Sequence, residues 1–296
     1  MKSRAQIRLL PAGRRLHMND GPIDLIVEAF GPIQEIEKAY VAASGRFVTV
    51  LDEVCDELAH LRRRCAPEAD WPRGCVAGRM MAAVMPYAAE FFITPMAAVA
   101  GAVAEEILAC MVAASDLSRA YVNDGGDIAL HLAAREEFVV GMVERPDCLS
   151  VFGTATITAN DPIRGIATSG WRGRSFSLGI ADSVAVLADR AAAADAAATI
   201  IANAVDLPGH PAIVRVPACD LAPDSDLGDR LVTQAVGRLT NSEVDDALDA
   251  GVLCANRLLK IGLIRSAALS LQEETRVVGS MKDSIASVRE RNLVHA

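Results

Sequence analysis

From Arg119 to Val186 the sequence breaks into short runs rich in β-branched and aromatic residues, namely Tyr121-Val122, Ile128 to Leu132, Phe138 to Val143, Ser150 to Ile157 and Ser183 to Leu187. Gly, Asn, Asp and Pro separate them. Runs of this length joined by tight turns pair antiparallel, because a two-residue turn returns the chain beside itself and a parallel partner needs a long crossover. A mostly antiparallel sheet is the expectation. Alanine-rich segments with helical spacing stand on both sides of it, Met96 to about Ser115 and Ala191 to Val205. Since 52% of the chain is hydrophobic but only 4% aromatic, Ala, Val, Leu and Ile must fill the interior. Helices packed through small side chains can approach closely, and Ala97, Gly101 and Ala104 put such residues on one side of the first segment. The fold class expected is α/β in its α+β form: a mostly antiparallel sheet packed with alanine-rich helices. It would form a single domain over 1–296 or two intimately packed lobes.

The remaining segments fit around this frame. Arg14 to Met18 and Ile23 to Phe30 flank the turn cluster Asn19-Asp20-Gly21-Pro22 and predict a hairpin. Ile33, Ile36 and Val41 predict one outer helix, and Val50, Val54, Leu58 and Leu61 a second after Ser44-Gly45. Asp226 to Leu239 and Ser242 to Leu259 read as two more helices, with Pro223 to Gly228 as a cap before the first, and Ile264 to Val278 as a final pair of strands.

Charge and cysteine usage narrow the class. A net charge of -9 and the lack of a basic run make nucleic acid an unfavourable partner. Met80 to Ala104 carries one charge, Glu90, but Pro86 and Pro95 interrupt it, so it reads as two buried elements rather than a membrane span. The basic opening, Lys2 to Arg15, has neither the apolar core nor the cleavage site of a secretion signal and reads as a first strand and turn. Seven cysteines without a Cys-x-x-Cys pair point to reduced thiols and a cytoplasmic setting. The histidines, His17, His60, His131, His210 and His295, show no metal-binding spacing.

Three segments could carry chemistry. In Asn123-Asp124-Gly125-Gly126-Asp127, glycines able to take positive φ could bring backbone N–H groups against a phosphate or ring while Asp127 accepts a hydrogen bond; a plain hairpin turn explains the same residues. Asp195, Thr199 and Asn203 form a polar stripe, four residues apart, on a helix otherwise of Ala, Ile and Val. Carboxylate and hydroxyl oxygens suit Mg²⁺ held jointly with a phosphate. Asp195 could equally charge the first helical turn, with Thr199 bonding back to a carbonyl. Thr168-Ser169-Gly170-Trp171-Arg172-Gly173-Arg174-Ser175 combines glycine, hydroxyls and two guanidinium groups, which suits either an anion or a solvated hairpin tip.

Taken in order, Thr94-Pro95-Met96-Ala97-Ala98-Val99-Ala100-Gly101, the Asn123 to Asp127 turn, Ala167-Thr168-Ser169-Gly170 and Ala194-Asp195-Ala196-Ala197-Ala198-Thr199 resemble the ApbE superfamily, whose known enzymes are FAD:protein FMN transferases. Arg174 to Val184, Ala202-Asn203-Ala204-Val205 and Asp224 to Gly228 resemble an uncharacterised protein family allied to those transferases. The resemblance implies an ApbE-like fold, with Asp195 and Thr199 as Mg²⁺ ligands and Asn123, Gly125, Gly126, Asp127, Thr168, Ser169, Gly170 and Arg174 binding FAD or FMN. The transferases' His-x-x-Asp-Pro segment matches here only at Asp182, within Gly179-Ile180-Ala181-Asp182-Ser183, which makes Asp182 the catalytic candidate. The function implied is Mg²⁺-dependent handling of a flavin or nucleotide diphosphate, as a transferase or pyrophosphatase acting on FAD, rather than flavinylation of a protein as such. A small-molecule flavin or nucleotide is the partner implied, and a homo-oligomer is compatible with it. The alternatives are a non-catalytic flavin or small-molecule binder, or an unrelated small-molecule enzyme on the same scaffold.

Overall fold

The structure, a computed structural model, describes residues 4–279 apart from 12, 146 and 147. Lys2 and His295 lie outside the described residues. In chain order the elements are β1 (Gln6–Leu9), β2 (Arg15–Asp20), β3 (Ile23–Phe30), α1 (Ile33–Asp56), α2 (Leu58–Leu61), α3 (Cys75–Val84), α4 (Val99–Ala114), β4 (Arg119–Asp124), β5 (Asp127–Leu132), β6 (Glu137–Arg145), β7 (Cys148–Thr158), β8 (Gly165–Ser169), β9 (Ser183–Ala188), α5 (Ala191–Ala204), β10 (Ile213–Pro217), α6 (Ala218–Leu221), β11 (Leu231–Val236), α7 (Asn241–Lys260), β12 (Ser266–Leu271) and β13 (Glu274–Gly279). They fall into two compact units: Met1–Glu137, Thr158–Ala167 and Ala188–Ala196 form the first, and Phe138–Ile157, Thr168–Leu187 and Ala197–Ala296 the second.

The first unit is built on strands in the order β1-β2-β3-β4-β5-β8, antiparallel at each pairing. The expected hairpin is β2–β3, closed by Gly21-Pro22 with Gly21 at φ 58°. Ala39, Ala43, Phe47, Val50 and Val54 of α1 are buried at the spacing of one helix face. They meet α4, which packs on β4 and β5 and buries Gly101, Ala102, Val103, Ala104, Ile107, Leu108 and Met111 on nearly every side. The segment Pro95–Ala114 is long and apolar enough to cross a membrane by length and composition alone. Here Glu106 of that segment is paired with Arg46 and Arg79, at 2.8 and 3.1 Å.

The second unit pairs β9 with β12 and β12 with β13, both antiparallel, and lays α7 against β12 and β13. A capping box between Thr240 and Glu243 starts α7. The β12–β13 turn is made by Gln272 and Glu273 at φ 45° and 72°, a left-handed backbone that side chains other than glycine's disfavour. The same unit holds the antiparallel pair β10–β11 and the pair β6–β7.

The fold is thus mixed α/β with a large antiparallel sheet and alanine-rich helices, as the sequence predicts, but three elements differ from expectation. Ser44-Gly45 does not divide the first helix: α1 runs through it, because the Ser44 hydroxyl donates to Tyr40 O one turn back and Gly45 faces open space. Asp226 to Leu239 is not a helix. Leu231–Val236 forms β11, where Val232 and Thr233 are buried and Thr233 Oγ1 donates to Gly179 O at 2.8 Å. Pro223 to Gly228 accordingly caps no helix and turns the chain from α6 into β11, with Gly228 at φ 55°.

Candidate functional site

The Asn123–Asp127 segment folds as a two-residue hairpin turn. Asp124 pairs with Asp127 in register, and Gly125 and Gly126 between them hold φ of 63° and 117°. Both central residues need positive φ for the turn to follow the strand twist, so the glycines are required by the backbone alone. Asn123 is committed to the same turn, its Oδ1 accepting from Gly126 N at 2.8 Å. A Cβ at Gly126 would meet nothing within 4 Å, which leaves that face of the turn open.

Asp195 does not serve its own helix. It is the fifth residue of α5, and its Oδ2 accepts from Gly101 N at 3.0 Å, with the Ala100 N–H also directed at it. Those amides belong to the first turn of α4, which has no capping side chain of its own. The carboxylate therefore caps α4 across the helix crossing. The crossing is close because residue 101 is glycine: a Cβ there would overlap the Ala191 carbonyl and stand 2.7 Å from Ala192 N. Glu105, one turn further along α4, returns the favour, its Oε1 accepting from Ala192 N at 2.9 Å in the first turn of α5. Its other oxygen takes Arg190 Nη2 at 2.7 Å and Arg79 Nη1 at 3.2 Å.

This arrangement puts Asp195 near the hairpin tip. Loss of hydration, then the Asp127 and Asp124 carboxylates, push its pKa well above the usual carboxylate range, against the lowering effect of the Gly101 and Ala100 amides. Asp124 is 6% exposed and its Oδ1 accepts from Asp24 N at 3.4 Å. Acids from β4 and β5 thus act electrostatically on the one from α5 within the first unit. Thr199 follows Asp195 by one turn of α5 and is partly exposed, whereas Asn203 is used structurally, its Oδ1 accepting from Leu178 N at 2.9 Å.

In the second unit the Thr168–Ser175 segment leaves the end of β8, with Thr168 and Arg174 exposed and Ser169 partly so. Gly170 passes so near the 181–182 backbone that a Cβ would lie 2.5 Å from Asp182 O. Asp182 is fully engaged: Oδ1 accepts from Trp171 Nε1 at 3.1 Å and Arg172 Nε at 2.5 Å, and Oδ2 from Gln272 N at 2.7 Å. The Arg172 guanidinium also stacks on the Trp171 ring, 4.4 Å from its centroid.

The family model described as AbpE bacteria matches residues 7–277. The chain belongs to the AbpE bacteria family. Similar proteins include a UPF0280 protein of Methanopyrus kandleri, 40% identical over 124 residues, and one of Methanococcoides burtonii, 40% identical over 119. Those matches cover 42% and 40% of this chain, which spans about half the length of these curated relatives, 48% in each. Among solved structures, the apo flavinyl transferase ApbE of Pseudomonas stutzeri aligns over 93% of both chains, with a TM-score of 0.42 and 9% identity.

In this AbpE bacteria chain the acidic cluster fits a divalent cation as far as donor chemistry goes. Loss of hydration, and after it the Asp127 and Asp124 charges, disfavour the Asp195 carboxylate, and Mg²⁺ with its preference for hard oxygen ligands would offset both. Among the described residues no group of three His, Cys, Asp or Glu can enclose a metal alone, so a phosphate-bearing ligand or water would have to complete the coordination. Asp124 and Ala100–Gly101 lie in segments that the sequence singled out but were given no part in the site, and Glu105 was given none either. The adjacent Glu105-Glu106 pair, set in an apolar helix, was the signal available for Glu105.

Proposed function

We propose that this chain binds a flavin or related nucleotide through its diphosphate, with Mg²⁺ held by Asp195 and Thr199 and supported by Asp127. The observation that carries the reading is the placement of Asp195, whose Oδ2 is fixed by Gly101 N at 3.0 Å in surroundings where loss of hydration first, and the Asp127 and Asp124 charges second, disfavour its carboxylate; a hard cation would offset both. A bound Mg²⁺ would offset charge developing on the diphosphate. The chain's own residues would do the rest. A Cβ at Gly126 would meet nothing within 4 Å, so the turn is open to a ring or phosphate there; in the second unit exposed Thr168 and Arg174 are donors suited to phosphate oxygens.

A second reading, binding without turnover, is favoured by Asp182. Both of its oxygens accept hydrogen bonds, Oδ1 from Trp171 Nε1 and Arg172 Nε and Oδ2 from Gln272 N, so the side chain is committed to holding these groups. In that reading Asp182 holds Trp171 and Arg172 in place and takes no proton. Calorimetric titration of FAD with and without Mg²⁺, followed by product analysis, tests both. Mg²⁺-dependent binding with AMP and FMN released supports the enzyme, and binding with FAD recovered intact supports the binder. No Mg²⁺-dependent binding of FAD removes both.

A further inference from the structure

The first unit also holds a pocket of about 260 Å³ to which no residue of the hairpin tip, the α4 amides or α5 contributes. Among its lining residues are His60, Cys65 and Met81, with Arg63, Arg64, Glu68 and Asp70 supplying balanced charge. Two features set the first three apart. His60 Nε2 is buried and has no hydrogen-bond partner among the described residues, a state that buried ring nitrogens seldom keep without a ligand or water. Cys65 and Met81, 1% and 2% exposed, bring thiol and thioether together, the thiol pointing at Met81 Sδ from 3.7 Å. Two sulfurs bound at about 2.3 Å to one tetrahedral centre stand about 3.8 Å apart, so the pair already has the separation that a shared ion requires.

Imidazole, thiolate and thioether are a donor set for a soft cation, and the thioether favours Cu(I) over the hard ions that suit carboxylates. We propose that His60, Cys65 and Met81 form a binding site for one soft monovalent cation of the Cu(I) class, reached through this pocket. On binding, the Cys65 thiol releases its proton to solvent and the thiolate takes the metal; nothing is oxidised or reduced. The site is independent of the flavin reading and stands or falls without it.

The test is an anaerobic titration of the full chain with Cu(I) against a chromophoric Cu(I) chelator. The expected result is one equivalent retained at a chelator concentration that strips Cys65→Ser, Met81→Leu and His60→Gln, with affinity at least tenfold lower in each. Cys254→Ser, which removes a thiol on α7, should bind as wild type does. Equal retention by wild type and Met81→Leu would overturn the proposal, as would failure of wild type to compete at all. Should Cys65→Ser fail to fold by circular dichroism, Met81→Leu decides the matter, because it conserves volume while deleting the sulfur.

Discussion

Asp195 has two duties, capping α4 and sharing negative charge with Asp127 and Asp124, and different substitutions separate them. Asp195→Ala removes both, and should lower stability by about 0.5–2 kcal/mol as the α4 amides lose their acceptor. Asp195→Asn keeps an oxygen for Gly101 N and removes the charge. It should unfold in denaturant near or above the wild-type midpoint yet lose Mg²⁺-dependent FAD binding; retention of that binding would take Asp195 out of the metal site. The same residue sets a pH dependence. Its folded pKa is raised, so the folded state holds the proton more tightly, and the contribution is present below the unfolded value of about 4 and lost as pH rises through the folded one. Metal-free protein should therefore lose stability across that window, by at most about 1.4 kcal/mol per pH unit, and Asp195→Asn should flatten the curve in urea titrations at stepped pH. Glu243 acts in the opposite sense, because its pKa is held near 2 by the Thr240 amide and His210, so its contribution fades only as pH falls toward that value. The type and spacing of Asp195 and Thr199 were legible in the sequence. The partner at Gly101, 94 residues earlier, was not, because a cap between two helices leaves no local pattern.

At the scale of elements, two glycines in helices should respond in opposite directions. Gly101→Ala would drive a methyl into the Ala191 carbonyl and should destabilise by about 1–3 kcal/mol or more, as overpacking does, while also moving Asp195 away from the α4 amides. Gly45→Ala, in the middle of α1 with nothing within 4 Å, should stabilise by about 0.5–1 kcal/mol. Thermal melts of both check the pair, and a stabilised Gly101→Ala would mean that the crossing is looser than described. Periodicity identified α7, which has one clear buried face, while α4 and α5, buried on most sides, were legible from their unbroken alanine-rich apolar composition. It failed at β11, where Leu231, Val232, Ala235 and Val236 fit a helix as well as a strand. Pairing with β10 decides between them, and that partner lies outside any local window. The final pair of strands was legible within Ile264 to Val278, but the turn between them was not, because the left-handed Gln272 and Glu273 carry no turn signature; Asp182 Oδ2 holds Gln272 there by accepting from its N–H.

At the scale of the whole chain the fold class was legible, because antiparallel strands joined by short turns and helices rich in alanine leave few other architectures. The candidate site was legible as a set of segments but not as a division of labour. Asp182 and Asn203, which the sequence offers as functional groups, are hydrogen-bonded into the second unit, while the α4 amides bind Asp195 and Glu105 binds the first turn of its helix, roles that the sequence does not offer. The boundaries of the two units carry a consequence for how the gene can be cut. The chain passes between them at 137/138, 157/158, 167/168, 187/188 and 196/197, so that neither is encoded by one uninterrupted stretch of codons. A premature stop after residue 137 would leave the first unit without β8 and without Asp195, and should yield a fragment lacking the cooperative melt of the intact chain. Recombination can shuffle a module only where its ends are contiguous. Here no single exchange could pass on the acidic cluster without also carrying segments of the other unit.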